Sequence, residues 1–138
     1  MFKKIIVVFF AVICLGFSYV SFPKPALSQF SDELTFYTNS FDSNSGIVKG
    51  NCNTYRFLTG VTGESCVVDT KDYSVPMIVS VFNASALWQE QLEDCKVYYF
   101  SSNLVKYSRT IEGREINLQI AEYEDRLVVG TPMIFGSF

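Results

Sequence analysis

The residues of this chain that could do chemistry are its acids, its thiols and its aromatic rings, for it contains no histidine. That absence removes the commonest general base and the commonest metal ligand together. Two groups of carboxylates stand out by spacing: Glu90, Glu93 and Asp94, then Glu122, Glu124 and Asp125. A suitably separated pair of carboxylates can hydrolyse a glycosidic bond. The first group, however, falls on the polar face of an expected helix and the second in an expected turn, so solvation accounts for both. Asp42-Ser43-Asn44-Ser45-Gly46 has the opening of a calcium loop, but its twelfth position is Asn53 and not an acid. A cysteine nucleophile would have only a carboxylate or a lysine to hold it as thiolate. Asn83-Ala84-Ser85 matches the glycosylation pattern, although Asn83 or Ser85 suits a helix cap equally well. The residues therefore assign no catalytic, cofactor-binding or metal-binding site. The expectation is a protein that is not an enzyme and holds no cofactor.

Trp88, the one tryptophan, falls on the apolar stripe of the expected helix and reads as core, and Tyr98, Tyr99, Phe100 and Tyr107 lie close together in the chain. Such a group can form a binding surface for a protein or glycan, but half-buried strands and a core helix use the same residues. The thiols Cys52, Cys66 and Cys95 are separated by 13 and 28 residues, spacings that fit neither a zinc site nor a redox pair.

The N-terminus sets the expected compartment. Lys3 and Lys4 precede the charge-free run Ile5 to Phe17, Pro23 and Pro25 break it, and Ala26-Leu27-Ser28 puts small residues at −3 and −1 of a cut before Gln29. This is the order of features in a secretory signal, so residues 1–28 are read as a signal peptide. The alternative is an uncleaved anchor over Ile5 to Phe22, near the lower length limit for spanning. Removing residues 1–28 takes away Lys3, Lys4 and Lys24 and no acid, which moves the net charge from −3 to −6. With no basic run, nucleic acid is excluded as a partner class, and a membrane is met only through an uncleaved N-terminal segment. The expected location is extracytoplasmic, and the expected partner is a protein or envelope component.

Beyond residue 28 lies one domain's length of chain. Residues 29–50 are read as extended or poorly ordered, with a short strand at Leu34 to Tyr37 and a loop at Thr38 to Gly46. Residues 51–138 are read as the domain. Tyr55 to Val61 and Glu64 to Asp69 look like a hairpin about Thr62-Gly63, with Phe57, Val61, Cys66 and Val68 on the core face. Pro76 to Asn83 reads as a strand. Leu87, Trp88, Gln91, Leu92, Cys95 and Tyr99 recur at helical steps, which predicts a helix over about 86–101, the alternative being a strand at Val97 to Phe100. Leu104 to Ile111 and Arg114 to Ala121 flank Glu112-Gly113 at hairpin spacing, and Glu124-Asp125 reads as a turn before Arg126 to Gly130. The fold class is α+β, an antiparallel sheet with one principal helix on one face. In that arrangement Cys66 and Cys95 both point to the core, so the favoured disulfide is Cys66–Cys95 with Cys52 unpaired. Proximity in sequence favours Cys52–Cys66 instead.

Three segments, in order, carry a family resemblance: Thr70 to Ile78 (TKDYSVPMI), Cys95 within the expected helix, and the hairpin over Leu104 to Ile116. Over about Tyr55 to Leu118 the chain resembles the circadian oscillating protein family, small exported proteins of cyanobacteria. The resemblance implies an exported α+β domain and brings no established enzymatic activity. The family's cysteine pattern is not kept, since its early and late cysteines would fall near Phe57 and Gln119. The leading expectation is thus a non-enzymatic exported binding or envelope-associated protein. The alternatives are a small inhibitor of an extracytoplasmic hydrolase, presenting Asp69 to Ser74, and a carboxylate-dependent enzyme.

Overall fold

The computed structural model describes residues 1–20, 23–38 and 46–135. Helix α1 (Phe2–Val20) is followed by a 3₁₀ turn at Ala26–Gln29, strands β1 (Leu34–Tyr37) and β2 (Ile47–Gly50), and helix α2 (Cys52–Phe57). Strand β3 (Gly63–Asp69), helix α3 (Val75–Val81) and strands β4 (Ser85–Gln91) and β5 (Lys96–Ser101) come next. The chain ends with β6 (Arg109–Ile111), β7 (Arg114–Ile116), β8 (Leu118–Glu122) and β9 (Arg126–Thr131). Seven strands form one antiparallel sheet in the order β2-β1-β3-β9-β8-β5-β4, and β6 and β7 form a separate hairpin. The α+β class is therefore correct. The segment 29–50 contributes two strands to this sheet, and the loop expected at Thr38 to Gly46 lies mostly outside the described residues.

Alternation along the central strands creates two cores. Cys66, Val68, Tyr98, Phe100, Leu118, Ile120, Leu127 and Val129 face the 3₁₀ turn, α2 and α3, which contribute Leu27, Tyr55, Val75 and Ile78. Val97, Tyr99, Ala121 and Val128 face the other way, where Ile111 and Ile116 of the β6–β7 hairpin, and Ile134, cover them. The expected single face of Ile116, Leu118 and Ile120 is thus divided between the two cores. Asn117 stands at the division. Its N–H donates to the Phe100 carbonyl at 3.0 Å, and its Nδ2 donates to the Tyr107 carbonyl at 3.0 Å.

The largest correction concerns 86–101, which is a β-hairpin and not a helix. Residues Leu92 to Cys95 make its turn, with the Leu92 N–H bonded to the Cys95 carbonyl at 2.9 Å. A bulge between Ala86 and Trp88 breaks the two-residue period of β4, and the residual spacing imitates a helix. Tyr99 is buried as expected, but Leu92 is exposed and Leu87 half-buried. Cys95 consequently sits at a turn, which removes the helix from the features behind the family resemblance.

Two expected strands are helices. Asn51 caps α2 through a capping box with Thr54, so Cys52–Phe57 coils, Phe57 points to solvent and the hairpin about Thr62-Gly63 is not made. Ser74 caps α3, with Pro76 in its first turn. Asn83, at φ +46°, ends α3, and the Ala84 N–H reaches back to the Val79 carbonyl at 3.0 Å. Asn83 therefore closes a helix instead of opening one. The Glu112-Gly113 turn is as expected, both residues taking positive φ in a two-residue hairpin, though the first strand is only Arg109–Ile111. The Glu124-Asp125 turn also stands, closed by the Tyr123 N–H on the Arg126 carbonyl.

Among the described residues no helix is long and apolar enough to cross a membrane. Beyond Lys3 and Lys4, helix α1 is nonetheless charge-free, and Phe9, Phe10, Leu15 and Phe17 are exposed.

Ile120 is completely buried between β9 and β5 whereas Leu104 is exposed, which separates two leucine-sized truncations. Ile120→Ala should cost about 2–5 kcal/mol in urea unfolding, and Leu104→Ala less than about 0.5 kcal/mol.

Candidate functional site

The chemistry with the most unusual setting is a carboxyl that sequence reasoning passed over. Glu64 lies near the start of β3, opposite Thr131 of β9 and Phe36 of β1, and is 0% exposed. Strand alternation turns it to the same face as Cys66 and Val68, beneath the 3₁₀ turn. Its Oε1 accepts the Leu27 N–H at 2.6 Å. Its Oε2 and the Thr131 hydroxyl are buried without a hydrogen-bond partner. Burial raises the carboxyl and the Leu27 and Ala26 amides pull it part of the way back, leaving it at about 7 against an ordinary 4.5. Only its position in a β-rich run, between Gly63 and Ser65, could have suggested this, and Glu at an inward position is not a pattern that periodicity weighs.

A pair of tyrosines is the second polar feature. The hydroxyls of Tyr55, on α2, and Tyr107, in the loop before β6, share a hydrogen bond of 3.0 Å. Burial raises the Tyr107 hydroxyl above its ordinary range, and the Tyr55 hydroxyl and the Glu64 charge add to this. The loop holding Tyr107 is anchored at both ends of its course. Asn117 grips the Tyr107 carbonyl, and the Ser102 hydroxyl donates to the Phe82 carbonyl at 2.6 Å. Over the tyrosine pair opens a cleft of about 310 Å³, with Pro23, Leu58 and Val61 as apolar walls and Arg56 and Lys106 among its lining. Lys106 lies over the Tyr107 ring at 5.7 Å.

Two other concavities differ in kind. One of about 640 Å³ runs over β1 to β3 beside Asp32, Glu33 and Lys49. Another of about 540 Å³ lies at the hairpin turns, lined by Glu93, Asp94, Glu122 and Glu124. The two expected carboxylate groups thus meet in space at one end of the sheet, which the sequence did not reveal. Among the described residues no cluster of three or more acids and thiols is disposed to hold a metal ion, and the candidate calcium loop, Asp42 to Ser45, lies outside them.

The cysteines do not make the expected disulfide. Cys52, Cys66 and Cys95 are all unbridged. Cys66 is on β3 in the helical-side core, and Cys95 precedes β5 in the opposite one. Strands β9 and β8 lie between, a lateral separation of about 14 Å at ordinary strand spacing, far beyond a disulfide's reach of about 7 Å. The expectation failed because it placed Cys95 on a helix. Burial, with the Glu64 charge, pushes the Cys66 thiol up to about 12, so it stays protonated and is a poor nucleophile.

The aromatic group is a built structure. Trp88 stacks on Tyr99 with centroids 4.4 Å apart, and the Arg114 guanidinium covers the other side of Trp88 at 4.1 Å. Glu90 accepts from both Trp88 Nε1, at 3.4 Å, and the Tyr99 hydroxyl, at 3.3 Å. These contacts fasten the β6–β7 hairpin to β4 and β5, which makes Trp88 a packing residue. No protein-family model, curated protein or solved structure matches the chain.

Since the folded Glu64 carboxyl lies above its ordinary value of 4.5, the folded state binds its proton more tightly than the unfolded state. Its contribution to stability is full below about pH 4.5 and is lost as pH rises to about 7, a change of about 3 kcal/mol. Glu64→Gln should remove that component. Urea titrations from pH 4.5 to 8 should show the variant gaining on the parent as pH rises, and parallel curves would refute the assignment. In a separate test, alkylation of the folded protein should modify half-exposed Cys52 before Cys66 or Cys95, and non-reducing peptide maps should contain no Cys66–Cys95 link.

Proposed function

We propose that this is an exported protein whose α+β domain acts by binding and not by catalysis. The observation that carries the export half is α1. Two lysines precede a 13-residue charge-free run whose large side chains are exposed, a surface that water disfavours and an export apparatus or lipid boundary accepts. The run falls within the length of a signal's apolar region, about 7–15 residues. The extracytoplasmic location, and the likeness to the circadian oscillating protein family, belong to this reading.

Support for binding comes from how the reactive groups are spent. Glu64 Oε1 is committed to the Leu27 amide, the Cys66 thiol is buried and protonated, and Glu90 ties two aromatic rings together. The Tyr55–Tyr107 cleft offers what binding needs: apolar walls, a hydroxyl floor and cations at its lining. Its chemistry suits an acidic group on a partner protein or envelope component. A second reading is favoured by the order of the Asp69–Ser74 loop. Asp69 Oδ1 accepts the Lys71 N–H at 2.8 Å, and the Thr70 N–H donates to the Asp125 carbonyl. A loop held in this way could serve an inhibitor of an extracytoplasmic hydrolase.

Two measurements test the proposal. Fractionation of the producing cells should find the chain outside the cytoplasm, and cytoplasmic accumulation would defeat the export half. Affinity capture of envelope components should weaken at least about tenfold with Lys106→Glu and persist with Glu93→Lys. Equal loss with both variants would remove the cleft from the proposal, and loss only on substitution of Lys71 would favour the inhibitor.

A further inference from the structure

We infer that Pro25 to Phe30 are a permanent part of the folded domain, so that removal of the N-terminal helix cuts the chain ahead of Pro25 and not after Ser28. The part of this concerning removal rests on the export reading above. The sequence alone points the other way, because Ala26-Leu27-Ser28 has the small residues that a signal peptidase selects at −3 and −1.

The structure uses the same residues as core. Leu27 is 0% exposed and belongs to one cluster with Phe36, Ile120 and Leu127 of three different strands. Pro25 is buried as well. Within the turn, the Ser28 N–H and hydroxyl both donate to the Pro25 carbonyl, at 3.2 and 2.7 Å, and the Phe30 N–H donates to the Leu27 carbonyl at 3.0 Å. Phe30 then sets its ring edge-on against Tyr73 and Phe82, at 5.3 and 5.7 Å. The bond between Ser28 and Gln29 lies inside this hydrogen-bonded turn, whereas a peptidase hydrolyses an extended segment, water adding across the amide to leave a carboxylate and an amine.

Hydrolysis before folding would have its own consequence. A chain beginning at Gln29 lacks Leu27, and the helical-side core would fold around the missing side chain. Glu64 would also lose the Leu27 amide that its Oε1 accepts, together with the turn that covers it. Two independent features of the domain, an apolar socket and a buried acceptor, are therefore complementary to a segment that the sequence pattern would discard.

The test uses the full chain produced in its own host, with the N-terminus read by intact mass and terminal peptide mapping, and the Leu27 amide followed by hydrogen exchange. The inference expects a chain that begins at or before Pro25, and a Leu27 amide protected like those of β3. A chain beginning anywhere beyond Pro25, or a Leu27 amide exchanging as fast as an unstructured peptide, overturns it. The two readings fail separately. An exported chain starting at Gln29 defeats this inference and leaves export standing. A cytoplasmic chain starting at Met1 with a protected Leu27 amide defeats export, and with it the cut, and leaves standing the place of Pro25 to Phe30 in the folded domain.

Discussion

Strands β8 and β9 are buried on both faces, and that constraint organises the rest of the chain. Ile120 and Val129 look toward the helices while Ala121 and Val128 look toward the β6–β7 hairpin, so neither face can be left to water. Short elements do the covering: the 3₁₀ turn, α2 and α3 on one side, the small hairpin and Ile134 on the other. Asn117 is where the chain passes between the hairpin layer and the sheet. Being 4% exposed, it must satisfy its amide internally, and it does so by bonding Phe100, Ser102 and Tyr107. The same bonds hold the loop that carries Tyr107 into the cleft, so the sheet's two-sided burial and the shape of the candidate site share one hinge point.

Local signals were legible where a turn or a run of apolar residues sufficed. The Glu112-Gly113 and Glu124-Asp125 turns, the strand at Leu34 to Tyr37 and the α+β class all follow from short-range chemistry. The failures share a cause. In β4 a bulge shifts the alternation of Leu87 and Trp88, and a bulge is fixed by the partner strand and not by local composition. In Val75–Val81 β-branched residues coil because Ser74 and Pro76 start a helix and Val75 and Ile78 can then bury on one side. The disulfide expectation inherited the first error, since moving Cys95 from helix to turn carried it to the other face of the sheet. Glu64 was invisible for a different reason: no periodicity marks a lone acid as buried until β1, β9 and the 3₁₀ turn enclose it.

A glutamate occupies that place because of the needs of the groups around it. The Leu27 amide, taken out of water, needs an acceptor, and a side chain from β3 that reaches it must end in oxygen. An ionised carboxylate would bond the amide more strongly but would bear the cost of burying a charge with Oε2 unpartnered, while the neutral acid avoids the charge and bonds less strongly. These opposing terms are what bring the group near neutrality, with its carboxyl at about 7. Protonation of Glu64 therefore alters the grip on the 3₁₀ turn. One buried acid fixes the N-terminal segment to the sheet, through a contact that neither the carboxylate clusters nor the cysteines of the sequence foretold.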